Sequence, residues 1–159
     1  MKVRDIMTVR PIVCQVDDTV SEAANLLRKH KISGMPVLDG DKLAGVISES
    51  DLLRLLAVEK EEGGLWLPSP FEVFEVPFRD LLKWERLHTS MEDISKKKVS
   101  EVMSKNIHEV SPEDMVEEAS AIMTRHRINR LPVVEGGRLV GIVTRGDIIS
   151  GLGGYDEKT

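Results

Sequence analysis

The feature that most constrains this chain is an internal repeat: residues 3–53, moved along by 96 positions, fall on residues 99–149 without a gap. Val3 meets Val99 and Met7 meets Met103, while Asp18, Val20, Glu22 and Ala23 meet Asp114, Val116, Glu118 and Ala119. Further on, His30, Ile32, Pro36, Val37, Gly40, Leu43, Gly45 and Asp51 meet His126, Ile128, Pro132, Val133, Gly136, Leu139, Gly141 and Asp147. A fixed period of this kind means one supersecondary unit used twice. A unit of about 50 residues has too little interior to be stable alone. The copies are therefore expected to pack on each other across a pseudo-twofold axis, with ligand sites in the clefts between them.

Each copy reads locally as strand, helix, strand, strand, helix. Asp18 or Thr19 caps the first helix, and Glu22 stands where a capping box behind Thr19 needs it. Val20, Ala23, Ala24 and Leu27 then form an apolar stripe of helical period. In the second copy Asp114 and Glu117 play the capping parts, before Val116, Ala119 and Met123. Two short apolar runs follow, 35–38 and 43–47, with 131–134 and 139–143 as their twins. The connections 39–42 and 135–138 contain Gly, which supplies the positive φ of a tight hairpin. A second helix is expected from about Ser50 to Leu56, and from about Gly146 to Ile149.

Three motifs, each present twice, resemble those of the CBS domain, and the pair resembles the tandem called a Bateman module. They are Asp5-Ile6-Met7-Thr8 with Glu101-Val102-Met103-Ser104, Ile32-Ser33-Gly34-Met35-Pro36-Val37 with Ile128-Asn129-Arg130-Leu131-Pro132-Val133, and Gly45-Val46-Ile47-Ser48-Glu49-Ser50-Asp51 with Gly141-Ile142-Val143-Thr144-Arg145-Gly146-Asp147. The resemblance implies an α/β fold of two pseudo-twofold-related β-α-β-β-α units packed through their sheets. The first unit would span residues 1–56 and the second 99–150, with an inserted segment at 57–98 and a tail at 151–159. It also implies a regulatory, non-catalytic module that binds AMP, ADP or ATP and acts through a protein target, as a homodimer. A module sensing S-adenosylmethionine and a structural dimerisation module without ligand are the alternatives.

The third motif ends a strand and opens a helix, where free N–H groups favour phosphate. Ser48 and Thr144 then offer a hydroxyl to phosphate, and Asp51 and Asp147 accept from ribose hydroxyls. The competing reading is that the hydroxyls cap the helices and the aspartates complement the helix dipole. By resemblance, adenine lies against Ile12 and Val13 with Gly34, Met35 and Pro36, or against Ile107 and His108 with Arg130, Leu131 and Pro132, beside Thr8 and Ser104. As side chains, Ile12, Val13, Met35 and Leu131 also read as plain core. His126 and Arg127 end a first helix, where cations are expected on dipole grounds alone. His30 and His126 either touch phosphate or cap that helix. Arg130 and Arg145 flank the ligand motifs and are expected to hold phosphate. Because Gly34 and Glu49 stand at the matching positions, the site with Thr144 and Asp147 is expected to bind phosphates better.

Other function classes find little support. A net charge of −5 argues against nucleic acid, whose phosphates are held by excess Lys and Arg. The histidines (His30, His88, His108 and His126) show no zinc-binding spacing, the chain has no phosphate-binding Gly-rich loop of the hydrolase type, and Cys14 reads as a small core residue. No enzyme and no metal is therefore expected. A single cysteine and the lack of a long apolar run or leader pattern point to a cytoplasmic chain without membrane insertion. Between the copies, Glu59 to Gly64 reads as a polar, flexible stretch. Trp66, Phe71, Phe74, Phe78 and Trp84 follow, with prolines that deny a regular helix until about Arg79. The aromatic segment is a satellite core, a lid or a dimer surface.

Overall fold

The computed structural model describes residues 1–62 and 91–154. The aromatic run and the helix expected from Arg79 lie outside these residues. The elements run α1 (Val3–Ile6), β1 (Thr8–Val9), β2 (Cys14–Gln15), α2 (Val20–Lys29), β3 (Gly34–Asp39), β4 (Lys42–Ser48) and α3 (Glu49–Glu62), then α4 (Val99–Val102), α5 (Val116–His126), β5 (Arg130–Glu135), β6 (Arg138–Thr144) and α6 (Arg145–Leu152).

Local chemistry accounts for most of these boundaries. Thr19 accepts from the Glu22 amide while Glu22 reaches back to the Thr19 amide, the capping box read from the sequence. Val20, Ala23 and Leu27 are buried and Ala24 half-buried, so the apolar stripe is the packed face. The second copy departs from expectation. Met115 stands at the cap of α5 and Asp114 accepts from the Ser111 amide instead, tightening the turn before the helix. Asp18 does the same for Gln15. The hairpins close at Asp39–Lys42 and Glu135–Arg138, with Gly40, Gly136 and Gly137 at positive φ. Helix α3, expected to stop near Leu56, continues to Glu62 and takes in the first part of the stretch read as flexible.

The strand that precedes α2 forms at Cys14–Gln15, just beyond Ile12 and Val13, and runs parallel to β3. In the second copy it shrinks to one bridge, Val110 with Val133. Proline has no amide to donate, so pairing starts one residue after Pro36 and Pro132, opposite Val37 and Val133. Ile12, Val13, Ile107 and His108 therefore lie in the approach to a strand.

The first residues of each copy belong to the other copy's structure. Strand β1 pairs with β6, Thr8 opposite Ile142, to give the sheet β1-β6-β5, and Ser104 bridges to Val46 beside the sheet β2-β3-β4. The Val3 amide bonds to the Asp114 carbonyl, and the Val99 amide to the Asp18 carbonyl. Val3 sits in the core with Val116, Ala119, Leu131, Val133 and Val143, whereas Val99 sits with Ala23, Leu27, Met35, Val37 and Ile47. Exposed ion pairs repeat the exchange, Lys2 to Glu113 and Lys98 to Asp17, though such pairs contribute little energy.

Two glycines make this exchange possible. A Cβ at Gly45 would stand 2.7 Å from the Ser104 carbonyl oxygen and from the Met103 sulfur, and one at Gly141 would stand 2.8 Å from the Thr8 carbonyl oxygen. The crossing segment lies flat on the strand only because these positions carry no side chain. Gly45→Ala and Gly141→Ala are therefore expected to cost about 1–3 kcal/mol each in denaturant unfolding. Gly146→Ala, in a helix with its nearest neighbour at 3.6 Å, should stabilise by about 0.5–1 kcal/mol. Equal effects at all three positions would contradict the close approach as the cause.

Candidate functional site

A cleft of about 830 Å³ opens where the two copies meet. One wall is the end of β4 and the start of α3, carrying Ser48, Glu49, Asp51 and Arg54. The opposite wall comes from the second copy: Ser104, Asn106 and His108 on its crossing segment, Ser120, Met123, Thr124 and Arg127 on α5, and Asn129, Arg130 and Pro132 at the start of β5. Arg145 and Ile148 of α6 complete it. The helix-start motif of the first copy thus faces the segments of the second copy read as adenine contacts. The sequence places the sites between the copies without saying which helix start faces which adenine segment, and the exchange of first segments brings these two together.

Of the residues expected at a site, the cleft gathers Ser48, Asp51, Ser104, His108, Arg127, Arg130, Pro132 and Arg145. The others stand elsewhere. Thr144 and Asp147 sit at the start of α6, and Thr8 pairs two residues upstream of Thr144, at Ile142. By the repeat, this is the counterpart of Ser104 beside Val46. Met35, Pro36 and Leu131 are buried in the cores, and Gly34 is buried at the first residue of β3. Ile12, Val13 and Ile107 are half-buried. His126 is exposed at the end of α5, where its ring stacks on His108 with centroids 3.7 Å apart.

The expectation that phosphate-holding charge gathers around Thr144 and Asp147 is corrected here. Arg130 and Arg145 line the cleft of Ser48 and Asp51, and the Arg130 side chain reaches Ser33 and Gly34 of the first copy. Arg130 donates from Nη1 to the Gly34 carbonyl at 2.7 Å and from Nη2 to the Ser33 hydroxyl. Asn129 Oδ1 accepts from its Nε and Nη2. Burial lowers the Arg130 pKa from its ordinary value, with nearby Glu49 opposing the shift.

The helix starts form reciprocal caps. Asp51 Oδ2 accepts from the Ser48 amide at 2.9 Å and lies 3.0 Å from the Ser48 hydroxyl, which accepts from the Asp51 amide at 3.3 Å. Thr144 and Asp147 repeat the arrangement. The capping reading of these residues is therefore the one the geometry displays. A phosphate would have to draw the hydroxyl proton away from the aspartate. Arg54 donates to Asp51 Oδ1 at 2.8 Å, whereas Oδ1 of Asp147 has no partner among the described residues and keeps its acceptor sites free.

Arg127 and its twin Lys31 both take positive φ, 54° and 52°, the left-handed conformation that closes a helix. The sequence reading missed Ser120, Thr124, Arg54, Ser33 and Asn129. A signal existed for part of this set: Ser120, Thr124 and Arg127 follow a helical period of their own, beside the apolar stripe. Cys14 is buried, and burial, with Asp18 adding, pushes its thiol up to about 12, so it stays protonated near neutrality. Among the described residues there is no group of three or more His, Cys, Asp or Glu that could hold a metal, and no helix long and apolar enough to cross a membrane.

Desolvation, then the charges of His108 and Arg125, lower the His126 pKa from 6.5. A group lowered on folding stabilises the native state above its unfolded pKa, and that contribution is lost as pH falls through the folded value. In an NMR titration His126 is expected to protonate below pH 6.5, with its midpoint moving up in His108→Asn. An unmoved midpoint would contradict the coupling of the two rings.

Comparison with known proteins agrees with this architecture. A family model for the CBS domain matches residues 3–58 and 99–154. An uncharacterised protein of Methanocaldococcus jannaschii is 41% identical over 154 residues, covering 96% of this chain and 91% of that protein. The inosine-5′-monophosphate dehydrogenase of Korarchaeum cryptofilum is 33% identical over 147 residues, 92% of this chain but 22% of the enzyme's length. Among solved structures, the CBS domain pair of protein MJ0100 in complex with 5′-methylthioadenosine and S-adenosyl-L-methionine aligns with a TM-score of 0.70 at 26% identity, covering 98% of each chain. CBSX2 in complex with AMP aligns with a TM-score of 0.68 at 27% identity, covering 95% of each. With both copies matched by the same family model and the same paired fold in its neighbours, the chain belongs to the CBS domain family.

Proposed function

We propose that this protein is a regulatory module that binds an adenine nucleotide (AMP, ADP or ATP) between its two CBS copies and signals to a protein target. The observation that carries this reading is the cleft itself, of about 830 Å³, within the range of small-molecule sites. A helix start on one wall faces Arg127, Arg130 and Arg145 on the other, a complement for a polyanion with a polar sugar. Asp51 and Asp147 are proposed to accept from ribose hydroxyls, and the backbone before Pro36 and Pro132 to read the purine edge. That the CBSX2 structure holds AMP supports the ligand class. The MJ0100 structure, which holds S-adenosyl-L-methionine and 5′-methylthioadenosine, supports S-adenosylmethionine as the second reading. The buried thiol of Cys14 and the family's regulatory character favour a non-catalytic role in the cytoplasm.

The module is also proposed to work as a homodimer. Leu53 and Ile149, at matching positions of the repeat on α3 and α6, are 66% and 62% exposed, and Leu152 is 78% exposed. Light scattering that returns a monomer at all concentrations would overturn this.

A ligand of the native state at 100 times its dissociation constant stabilises by about 2.7 kcal/mol. Thermal melting with AMP, ADP, ATP, S-adenosylmethionine and 5′-methylthioadenosine is therefore expected to show a clear rise with an adenine nucleotide. No shift with any of the five would leave only a structural dimerisation module. Asp51→Ala is expected to weaken nucleotide binding while costing about 0.5–2 kcal/mol through the lost cap. Unfolding without loss of affinity would make Asp51 structural.

A further inference from the structure

Positions 34 and 130 are equivalent in the repeat and meet near the pseudo-twofold axis. One is glycine and the other arginine, and the arginine lies on the glycine. A Cβ at Gly34 would stand 2.9 Å from Cζ and Nη1 of Arg130, so the space that one guanidinium fills is space the matching position must leave empty. The guanidinium sits at the edge of the Ser48 and Asp51 cleft, tied to the Gly34 carbonyl, the Ser33 hydroxyl and Asn129.

Burial decides which cation matters. Of the four arginines that line the cleft, Arg54, Arg127 and Arg145 are exposed and Arg130 is half-buried. Moving the lining by the repeat names the residues of a counterpart site at Thr144 and Asp147. Its cations Arg10, Arg28 and Lys31 are all exposed, and Gly34 replaces Arg130. Exposed cations act through a high dielectric and are screened by salt, whereas a desolvated one acts at fuller strength. Arg54 is further committed to Asp51. Four of the five N–H donors of Arg130 are engaged by the bonds above, which holds the fork in place before an anion arrives.

We propose that the Gly34–Arg130 pair makes the two clefts chemically unequal, so that the cleft of Ser48 and Asp51 selects the phosphorylated adenine ligand and its counterpart does not. This rests on the adenine-nucleotide reading above and adds which cleft discriminates, and by which residue. Gly34 is the positioning residue for this cleft: it is not among the residues that line it and acts there by leaving room for the guanidinium.

Calorimetric titration of AMP and adenosine into the full-length protein tests the assignment. In the native protein AMP is expected to bind one cleft more tightly than adenosine does, and Asp51→Asn to weaken that tight event. Arg130→Ala is expected to reduce the AMP-to-adenosine affinity ratio by about tenfold or more, the scale of a hydrogen bond to a charged group. Gly34→Ala, which pushes aside only the flexible end of an arginine, should reduce the same ratio, and should add nothing in an Arg130→Ala background. The inference is overturned if the tight AMP event survives Asp51→Asn, if the ratio is unmoved by Arg130→Ala, or if Gly34→Ala acts equally in both backgrounds. Its failure is distinguishable from that of the adenine reading, because there neither AMP nor adenosine would bind the native protein.

Discussion

The structure depends on one close approach made twice: the first segment of each copy lies across the last strand of the other, over Gly45 and Gly141. With 2.7–2.8 Å between the place a Cβ would take and the crossing carbonyl oxygen, a side chain at either glycine would lift the segment off the sheet. Ser104 would then lose both backbone bonds to Val46, and Val3 and Val99 would leave the cores they complete. Burying a valine fully is worth about 1.5–3 kcal/mol, so the exchange supplies each core with a part it cannot draw from its own copy. The glycine that opens the Gly-apolar-apolar-Ser/Thr motif thus has a packing reason that is independent of any ligand.

That exchange also decides where a ligand can lie. Because Ser104 is held beside Val46, the approach segment 104–108 comes to rest near the helix that Ser48 caps. A cleft then forms with one wall from each copy. A molecule bound there touches both copies, so its affinity depends on how they sit together, and by linkage it biases that arrangement in return. Such linkage is the physical means by which the proposed regulatory module would report a ligand.

Near-symmetry then sharpens small differences. Most positions swap like for like between the copies, but near the axis matching residues compete for the same space, as Gly34 and Arg130 show. At another pair of matching positions Ile12 is answered by His108, which finds a stacking partner in His126. Duplication supplies two helix starts of one pattern, and divergence at the axis places Arg130 beside only one of them.

Much of this was legible in residue order because it depends on local chemistry. The capping box at Thr19 and Glu22, the stripe Val20, Ala23 and Leu27, the glycine hairpins and the caps at Ser48 and Thr144 all involve groups within a few residues of each other. Periodicity and spacing encode such contacts directly, and the gapless repeat added the fold class and the expectation of a site between copies. What the sequence alone left open needed contacts between residues roughly a hundred positions apart. Which copy Val3 packs into and which cleft Arg130 enters depend on how two similar surfaces meet across an axis. A repeat register states that two positions are equivalent; only the tertiary packing decides whether an equivalent residue serves its own copy or the other.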